Sequence, residues 1–417
     1  MRILLLTQIV PFPPDSGPKV KTFHVLRYLA EHGHEVTLVS FVREHEKSYL
    51  EELKKYCAAI YPVEMRRSRV ADARGYLDGL LSGLPFLVTR DVQAAMLQTV
   101  ERLARESFDV VHADQLTMAQ YALHLRRTNK RAMIVFDAHN AVYEIVERAK
   151  QTAMPMLRPV LALEAKRLKQ YEGNLIRQFD HTLAVSEIDK QALLNATMSE
   201  TRGGVIEDSR AAALASKISV IPIAVDCATL TPAKRVEASN NILTVSTLFY
   251  PPNADGVRWF LHEVLPHVKK QFLAATVSVV GPRPPQDLVD FGTQHSDYVT
   301  VTGYVPDLQP YFERAALMVV PVRAGSGMRV RILEALARGM PIVTTTTGVE
   351  GIDALNEEHL LVADEPTQFA EAVVRILKNP ALGEKLVVQG RRLAEVKYDW
   401  QVVLPKLEAV YASQSAK

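Results

Sequence analysis

Three arginines and a glutamate surround a pair of glycines in the stretch Val319-Val-Pro-Val-Arg-Ala-Gly-Ser-Gly-Met-Arg-Val-Arg-Ile-Leu-Glu-Ala-Leu-Ala-Arg-Gly-Met-Pro-Ile-Val343. Gly325 and Gly327 permit backbone geometries closed to other residues, Ser326 lies between them in a tight turn, and Met328 opens the helix that follows. Such a turn entering a helix presents free N–H groups, which suits an anion such as a diphosphate. Arg323, Arg329 and Arg331 bring guanidinium groups to the same place. Glu334 falls inside the helix among apolar neighbours. It is either a solvent-facing carboxylate or, beside a nucleotide, an acceptor for ribose hydroxyls.

Other residues could do chemistry at the ends of strands. Asp137-Ala-His139-Asn140 closes an apolar run, and His139 there could bond a hydroxyl of a sugar or an acceptor; a lone histidine is more often structural. Asp114 closes the preceding run and reads equally either way. Gly17, in a loop rich in Pro, Asp, Ser and Gly, could let backbone approach a substrate or simply make a turn. The rigid turn Gly281-Pro-Arg-Pro-Pro285 carries Arg283. The hydroxyls of Thr344 to Thr347, with Gly348, could line a phosphate or sugar pocket. Arg66, Arg67, Arg69 and Arg74 form a basic patch, read as solvated surface or as a contact for anionic lipid headgroups or a phosphate-bearing acceptor.

The elements that must position these groups alternate throughout. Arg2 to Thr7 is expected as a strand, Val20 to Glu31 as a helix and Glu35 to Phe41 as a strand, the opening of a parallel sheet covered by helices. The first loop lacks the G-x-G-x-x-G spacing of a dinucleotide site. Alternation continues to the strand His181 to Val185 and a helix capped by Ser186 with Asp189 in its first turn. A polar loop is expected over 199–209. A second series begins at Ile242, and the central stretch supplies a strand, a helix from Met328 to Arg338 ended by Gly339 and Pro341, and another strand. A length of 417 residues favours two domains. The expected division is 1–215, 216–385 and a helical tail 386–417 that packs back toward the first domain. The net charge of +2 does not imply a nucleic-acid partner. Two cysteines, Cys57 and Cys227, argue against a disulfide framework or zinc cluster and fit a reducing, cytoplasmic setting. The opening residues are too short for a signal peptide, and no apolar run is long enough to span a bilayer.

Taken together, these motifs resemble retaining glycosyltransferase family 4. The match runs through Gly303-x-Val305-x-Asp307-Leu308, Pro321 to Glu334-Ala335, Gly339-x-Pro341 and Thr347-Gly348-x-Glu350-Gly351, with Asp180 to Asp189 and Ile221-Pro222, Val225-Asp226 in support. The resemblance implies an α/β GT-B fold, two Rossmann-like domains facing across a cleft, with the donor held by the second. It implies that Glu334, the last glutamate of the family's E-x7-E element, bonds the donor ribose. His139 is implied near donor sugar and acceptor, and Gly17 near the donor phosphates or sugar. The first glutamate of the element is replaced by Ser326, and the loop is similar to a Gly-Ser-Gly-x-Arg variant in which backbone groups and Arg329 take over sugar and phosphate contacts. Two further departures stand out. Ser246 to Gly256 replaces the usual Gly-Arg and Lys-Gly phosphate pattern, and Ile223-Ala224 replaces Asn-Gly after the crossing proline. Arg283, Arg323 or Arg329 would supply the missing positive charge.

The reaction so implied moves a sugar from a nucleotide-diphosphate sugar to a glycan, lipid-linked or small-molecule hydroxyl acceptor with retention. His139, Arg329 and Glu334 are its catalytic candidates; no cofactor beyond the donor and no metal is required. Cell-envelope or exopolysaccharide assembly, with peripheral contact at the inner membrane face, is the setting the resemblance suggests. The competing readings are a sugar-nucleotide epimerase or hydrolase of similar fold, and a non-catalytic sugar-nucleotide or glycan binder.

Overall fold

Strands buried on both faces need continuous apolar runs, and the chain supplies them twice. The computed structural model describes residues 1–198, 208–236 and 239–413. Of the loop expected over 199–209, only 208 and 209 are described, at the start of the helix Asp208–Ser216; the rest lies outside the described residues.

The chain divides into two compact units, Met1–Ile223 with Val403–Lys417, and Ala224–Val402. In the first, β1 (Arg2–Thr7), β2 (Glu35–Val42), β3 (Ala59–Glu64), β4 (Val110–Asp114), β5 (Met133–Ala138), β6 (His181–Ala184) and β7 (Ile218–Val220) form a parallel sheet ordered β3-β2-β1-β4-β5-β6-β7. Leu4, Leu6, Val111, Ile134 and Phe136 from its central strands are fully or almost fully buried. In the second, β8 (Asn241–Val245), β9 (Thr276–Val280), β10 (Val299–Val301), β11 (Ala315–Val320), β12 (Ile342–Thr344) and β13 (Leu361–Val362) are ordered β10-β9-β8-β11-β12-β13, again parallel. Its core includes Trp259 and Phe369, packed edge to face at 5.3 Å. Both sheets have the doubly wound order, so strand order reverses between β1 and β4 and between β8 and β11. Ligands bind such sheets outside the carboxyl ends of the strands at those switch points.

The boundaries differ from expectation. The expected division after residue 215 leaves Ile218 to Val220 outside the first domain; β7 pairs with β6 through Thr182, Leu183 and Ala184, and the first unit runs to Ile223. Residues 386–402 belong to the second unit, and the first recovers only the last helix, Pro405–Ala412. That helix has polar reasons to return: Glu408 accepts hydrogen bonds from the Tyr28 hydroxyl at 3.0 Å and from His34 Nε2 at 3.2 Å.

Candidate functional site

In the second unit, the glycine-rich turn follows β11 at the switch point. Gly325 and Gly327 have φ of 110° and 85°, left-handed values that explain glycine at both places. Arg329 donates from Nη1 to the carbonyl of Ser326 at 2.7 Å and to that of Gly327, closing the turn on itself. Arg329 is also the extended cap residue (φ −93°, ψ 94°), so the helix runs Val330–Ala337 rather than from Met328. Met328 is buried where the turn meets the core.

Arg331, on the first turn of that helix, donates to the Asn253 Oδ1 at 2.6 Å and to the Val245 carbonyl at 3.3 Å. Asn253 in turn donates to the Thr247 carbonyl at 3.0 Å. A guanidinium therefore stands at the carboxyl end of β8, where the local sequence Ser246 to Gly256 offers no basic residue. Burial and, after it, the neighbouring Arg329 lower its pKa to about 10 against the opposing pull of Glu334. Sequence reasoning counted Arg331 among nearby charges without giving it a role. Its signal was a second arginine on the first turn behind the glycine-rich loop.

One turn along, Glu334 is partly exposed, and among the described residues its carboxylate accepts no hydrogen bond. Burial pushes its pKa up to about 7 against the pull of Arg338 and Arg331. The buried hydroxyls of Ser246, after β8, and Ser326, after β11, also lack hydrogen-bond partners among the described residues.

Other candidates sit apart from this group. Arg323 is exposed with its guanidinium 5.5 Å from the Trp259 ring centre. Arg283 is exposed, in a left-handed conformation (φ 51°), with its guanidinium 3.6 Å from the Phe249 ring centre. The hydroxyls beyond β12 are largely consumed: Thr344 donates to the Val320 carbonyl at 2.8 Å, Thr345 to that of Val322, and Thr346 to Asp364 at 2.6 Å. The Gly348 N–H donates to the Thr345 hydroxyl at 2.9 Å, while Thr347 stays half-buried.

In the first unit, a polar cluster lies at the carboxyl ends of β4 and β5, buried between sheet and helices. Asp114 and Asp137 are register partners across the two strands. Lys21, from the helix Gly17–Glu31, donates to Asp137, and Thr22 donates to Asp114 at 3.1 Å. His139 Nε2 lies 2.8 Å from Asp114 Oδ1, and His112 Nε2 lies 3.3 Å from Asp137 Oδ2. Burial alone would raise the Asp137 carboxyl; Lys21, His112 and His139 outweigh it and hold the group well below the usual carboxylate range. Gly17 begins the helix that carries Lys21 and Thr22. Sequence reasoning missed Lys21, because a lysine in an amphipathic helix ordinarily reads as surface.

Two more buried carboxylates pin the loop that carries His139. Asp189 accepts from the Ala141 N–H at 3.2 Å, and Glu172 from the N–H groups of Val142 and Tyr143 at 2.8 and 3.0 Å. Ser186 accepts from the Asp189 N–H at 3.1 Å, the cap expected there. His112, Asp114 and Asp137 have the spacing of a cation site. The Lys21 ammonium already meets the Asp137 carboxylate, however, and supplies the positive charge a cation would bring.

Comparisons with known proteins agree with this geometry. A family model described as Glycosyltransferase Family 4 matches residues 17–207, and one described as Glycosyl transferases group 1 matches residues 239–379. An uncharacterized 44.6 kDa protein in the cps region of Klebsiella pneumoniae is 20% identical over 97% of this chain and 98% of its own. Phosphatidyl-myo-inositol mannosyltransferase of Mycobacterium leprae is 26% identical over 36% of this chain and 41% of its own. Among solved structures, Anabaena HepE in complex with UDP superposes with a TM-score of 0.70 at 13% identity, covering 99% of this chain and all of that one. Sucrose-phosphate synthase of Thermosynechococcus elongatus gives 0.69 at 17% identity, covering 100% of both chains. Two doubly wound units of this kind define the two-domain, Rossmann-like GT-B fold. Within that class, the chain belongs to the group 1 glycosyltransferases and is a glycosyltransferase.

Proposed function

We propose that this enzyme transfers a sugar, with retention at the anomeric carbon, from a nucleoside-diphosphate sugar to a hydroxyl acceptor in envelope or capsular glycan assembly. The observation that carries the reading is one short helix behind a glycine-rich turn, bearing Arg331 at the end of β8 and the unbonded carboxylate of Glu334. The turn and arginines suit a diphosphate, and a carboxylate free to accept suits a ribose. Two relatives support it. One solved structure is of HepE in complex with UDP and glucose, and the Klebsiella relative lies in a cps region.

Negative charge grows on the departing diphosphate, where preorganised N–H and guanidinium donors stabilise it best. The acceptor oxygen attacks the face the diphosphate leaves. The C–O bond to the new glycoside forms as the bond to phosphate oxygen breaks, and the acceptor proton passes to the leaving phosphate. No cofactor beyond the donor takes part, and the reaction proceeds in the cytoplasm. Radiolabelled nucleotide sugars offered with envelope lipid extracts test this: acceptor-dependent transfer with the donor's anomeric configuration kept is expected, and an inverted product overturns it. Turnover should also survive a chelator.

The acceptor is met at a membrane surface. The helix Arg69–Ser82 exposes Val70, Tyr76, Leu77 and Leu81, and a second segment exposes Met154, Met156 and Val160. Tyr76, Leu80, Val160, Leu163 and Arg167 line one shallow recess, so the two segments are neighbours. Exposed Arg66, Arg69 and Arg74 accompany them, a composition suited to anionic lipid. The protein should float with phosphatidylglycerol vesicles; absence from the floated fraction overturns the membrane assignment.

A further inference from the structure

We infer that the first unit carries a second ligand site, a recess at the amino ends of β5, β6 and β7 that takes a phosphate monoester about the size of a sugar phosphate. The recess is at the sheet edge opposite the Asp137–His139 cluster, so the inference stands independently of the proposed function.

The recess has a volume of about 810 Å³, within the range of small-molecule sites. Met133 opens β5, Asp180 and His181 stand at the start of β6, Lys217 and Ser219 at the start of β7, and Lys406 projects from the last helix. All six line the recess, and all belong to the first unit. Five residue steps along β5, roughly 16 Å at the rise of a strand, part Met133 from Ala138, the neighbour of His139.

The charges on the wall are positive and unspent. Lys217 is half-buried and held in place, its ammonium donating to the Phe179 carbonyl at 3.1 Å and to that of Arg177 at 3.4 Å. A third N–H remains to give. Lys406 is exposed, and among the described residues its ammonium makes no hydrogen bond or ion pair. Asp180, the acid on the wall, is already engaged: its carboxylate accepts from Arg126 at 2.5 Å and from the Ile134 N–H at 2.8 Å.

A histidine on the wall reports the resulting potential. His181 Nε2 lies 2.9 Å from the Ser219 hydroxyl. Burial, and after it the charges of Lys217 and Lys190, lower its pKa, and no carboxylate offsets them. The recess is therefore positive before a ligand enters it.

The chemistry selects the ligand. Two ammonium groups match the dianion of a phosphate monoester, while the Ser219 hydroxyl and the neutral imidazole supply uncharged partners. A neutral sugar would leave both ammonium groups uncompensated. The volume leaves room for the esterified group beside the phosphate.

The full-length protein, with UDP at saturation to close the donor site, is titrated calorimetrically with glucose 1-phosphate and with glucose. Glucose 1-phosphate should bind and glucose should not. Lys406→Gln should weaken the binding about tenfold, the value of one lost charge-assisted hydrogen bond, and Lys406→Glu should abolish it. Lys55→Gln, at an exposed lysine elsewhere in the unit, should leave it unchanged. None of these variants should alter UDP affinity or Tm without phosphate. In NMR spectra the His181 ring signals should move as glucose 1-phosphate is added. Phosphatidic acid vesicles form a second arm, since a lipid headgroup carries the same monoester. Binding in solution assigns the site to a free metabolite; flotation that Lys406→Gln abolishes, without binding in solution, assigns it to a lipid. Neither form of binding, or binding that both Lys406 variants leave undiminished, overturns the inference. Absent UDP binding would instead overturn the proposed function.

Discussion

At the scale of single residues, the charge state of Glu334 matters most. Ribose hydroxyls donate to a carboxylate, so in the role proposed for it the ionised form of Glu334 binds the donor better. Its pKa is pushed up to about 7 by burial, so donor KM should fall as pH rises through that value. Steady-state kinetics from pH 6 to 8 check this, and the Glu334→Gln variant should flatten the profile. Glu334→Ala should raise donor KM by about tenfold or more, as expected for lost hydrogen bonds to a charged group. The placement of Glu334 behind the glycine-rich turn and of His139 after a strand was legible from sequence, because each stands at a fixed place in a motif. Arg331 and Lys21 were not. Their importance comes from Val245, Asn253 and Asp137, all distant in the chain.

Elements come next, held by close backbone approach and by buried carboxylates. A β-carbon at Gly256 would lie 2.1 Å from the Pro321 carbonyl oxygen, where the helix Pro251–Trp259 meets the end of β11. Gly256→Ala should therefore lower Tm clearly despite alanine's better helix propensity, and calorimetry would show it. The clamp on the His139 loop has a pH signature. Burial pushes Glu172 up to about 8 from an ordinary 4.5, against the pull of the N–H groups of Tyr143 and Val142. Between those values the folded protein keeps a proton that the unfolded chain has released. The stability contributed by this group is thus complete below about 4.5 and is lost as pH rises through about 8. Urea midpoints measured across that range should fall with pH, and Glu172→Gln should remove this part of the slope.

For the molecule as a whole, the return of the last helix to the first unit is the main constraint. Tyr411 lies with its hydroxyl 2.6 Å from His112 Nδ1, and His112 reaches Asp137 on its other side. Both side chains are almost fully buried. Burial holds the Tyr411 hydroxyl well above its ordinary pKa, with Asp137 and Asp114 adding to the effect, so it stays neutral. Tyr411→Phe leaves the His112 nitrogen unsatisfied and should destabilise the protein by about 1–3 kcal/mol. Chemical denaturation followed in the intact chain checks it. A larger loss is expected on ending the chain before Val403, since Glu408, Tyr411 and the apolar face of Leu407 and Val410 go together.

By itself the sequence determined the repeated strand–helix alternation, the glycine-rich turn, the place of Glu334 in the helix behind that turn and of His139 at a strand end, and through its motifs the family. Those features are local: hydrophobic period, glycine geometry and spacing along one element carry them. Tertiary structure decided the rest. It placed β7 in the first sheet, because strand pairing with β6 and not the apolar run itself fixes membership. It turned Arg329 inward onto its own loop and set Arg331 at the end of β8. It also gathered Lys21, Asp114, Asp137 and His139. Burial and hydrogen-bond partners arise between residues far apart in the chain, so no reading of neighbours along the sequence could supply them.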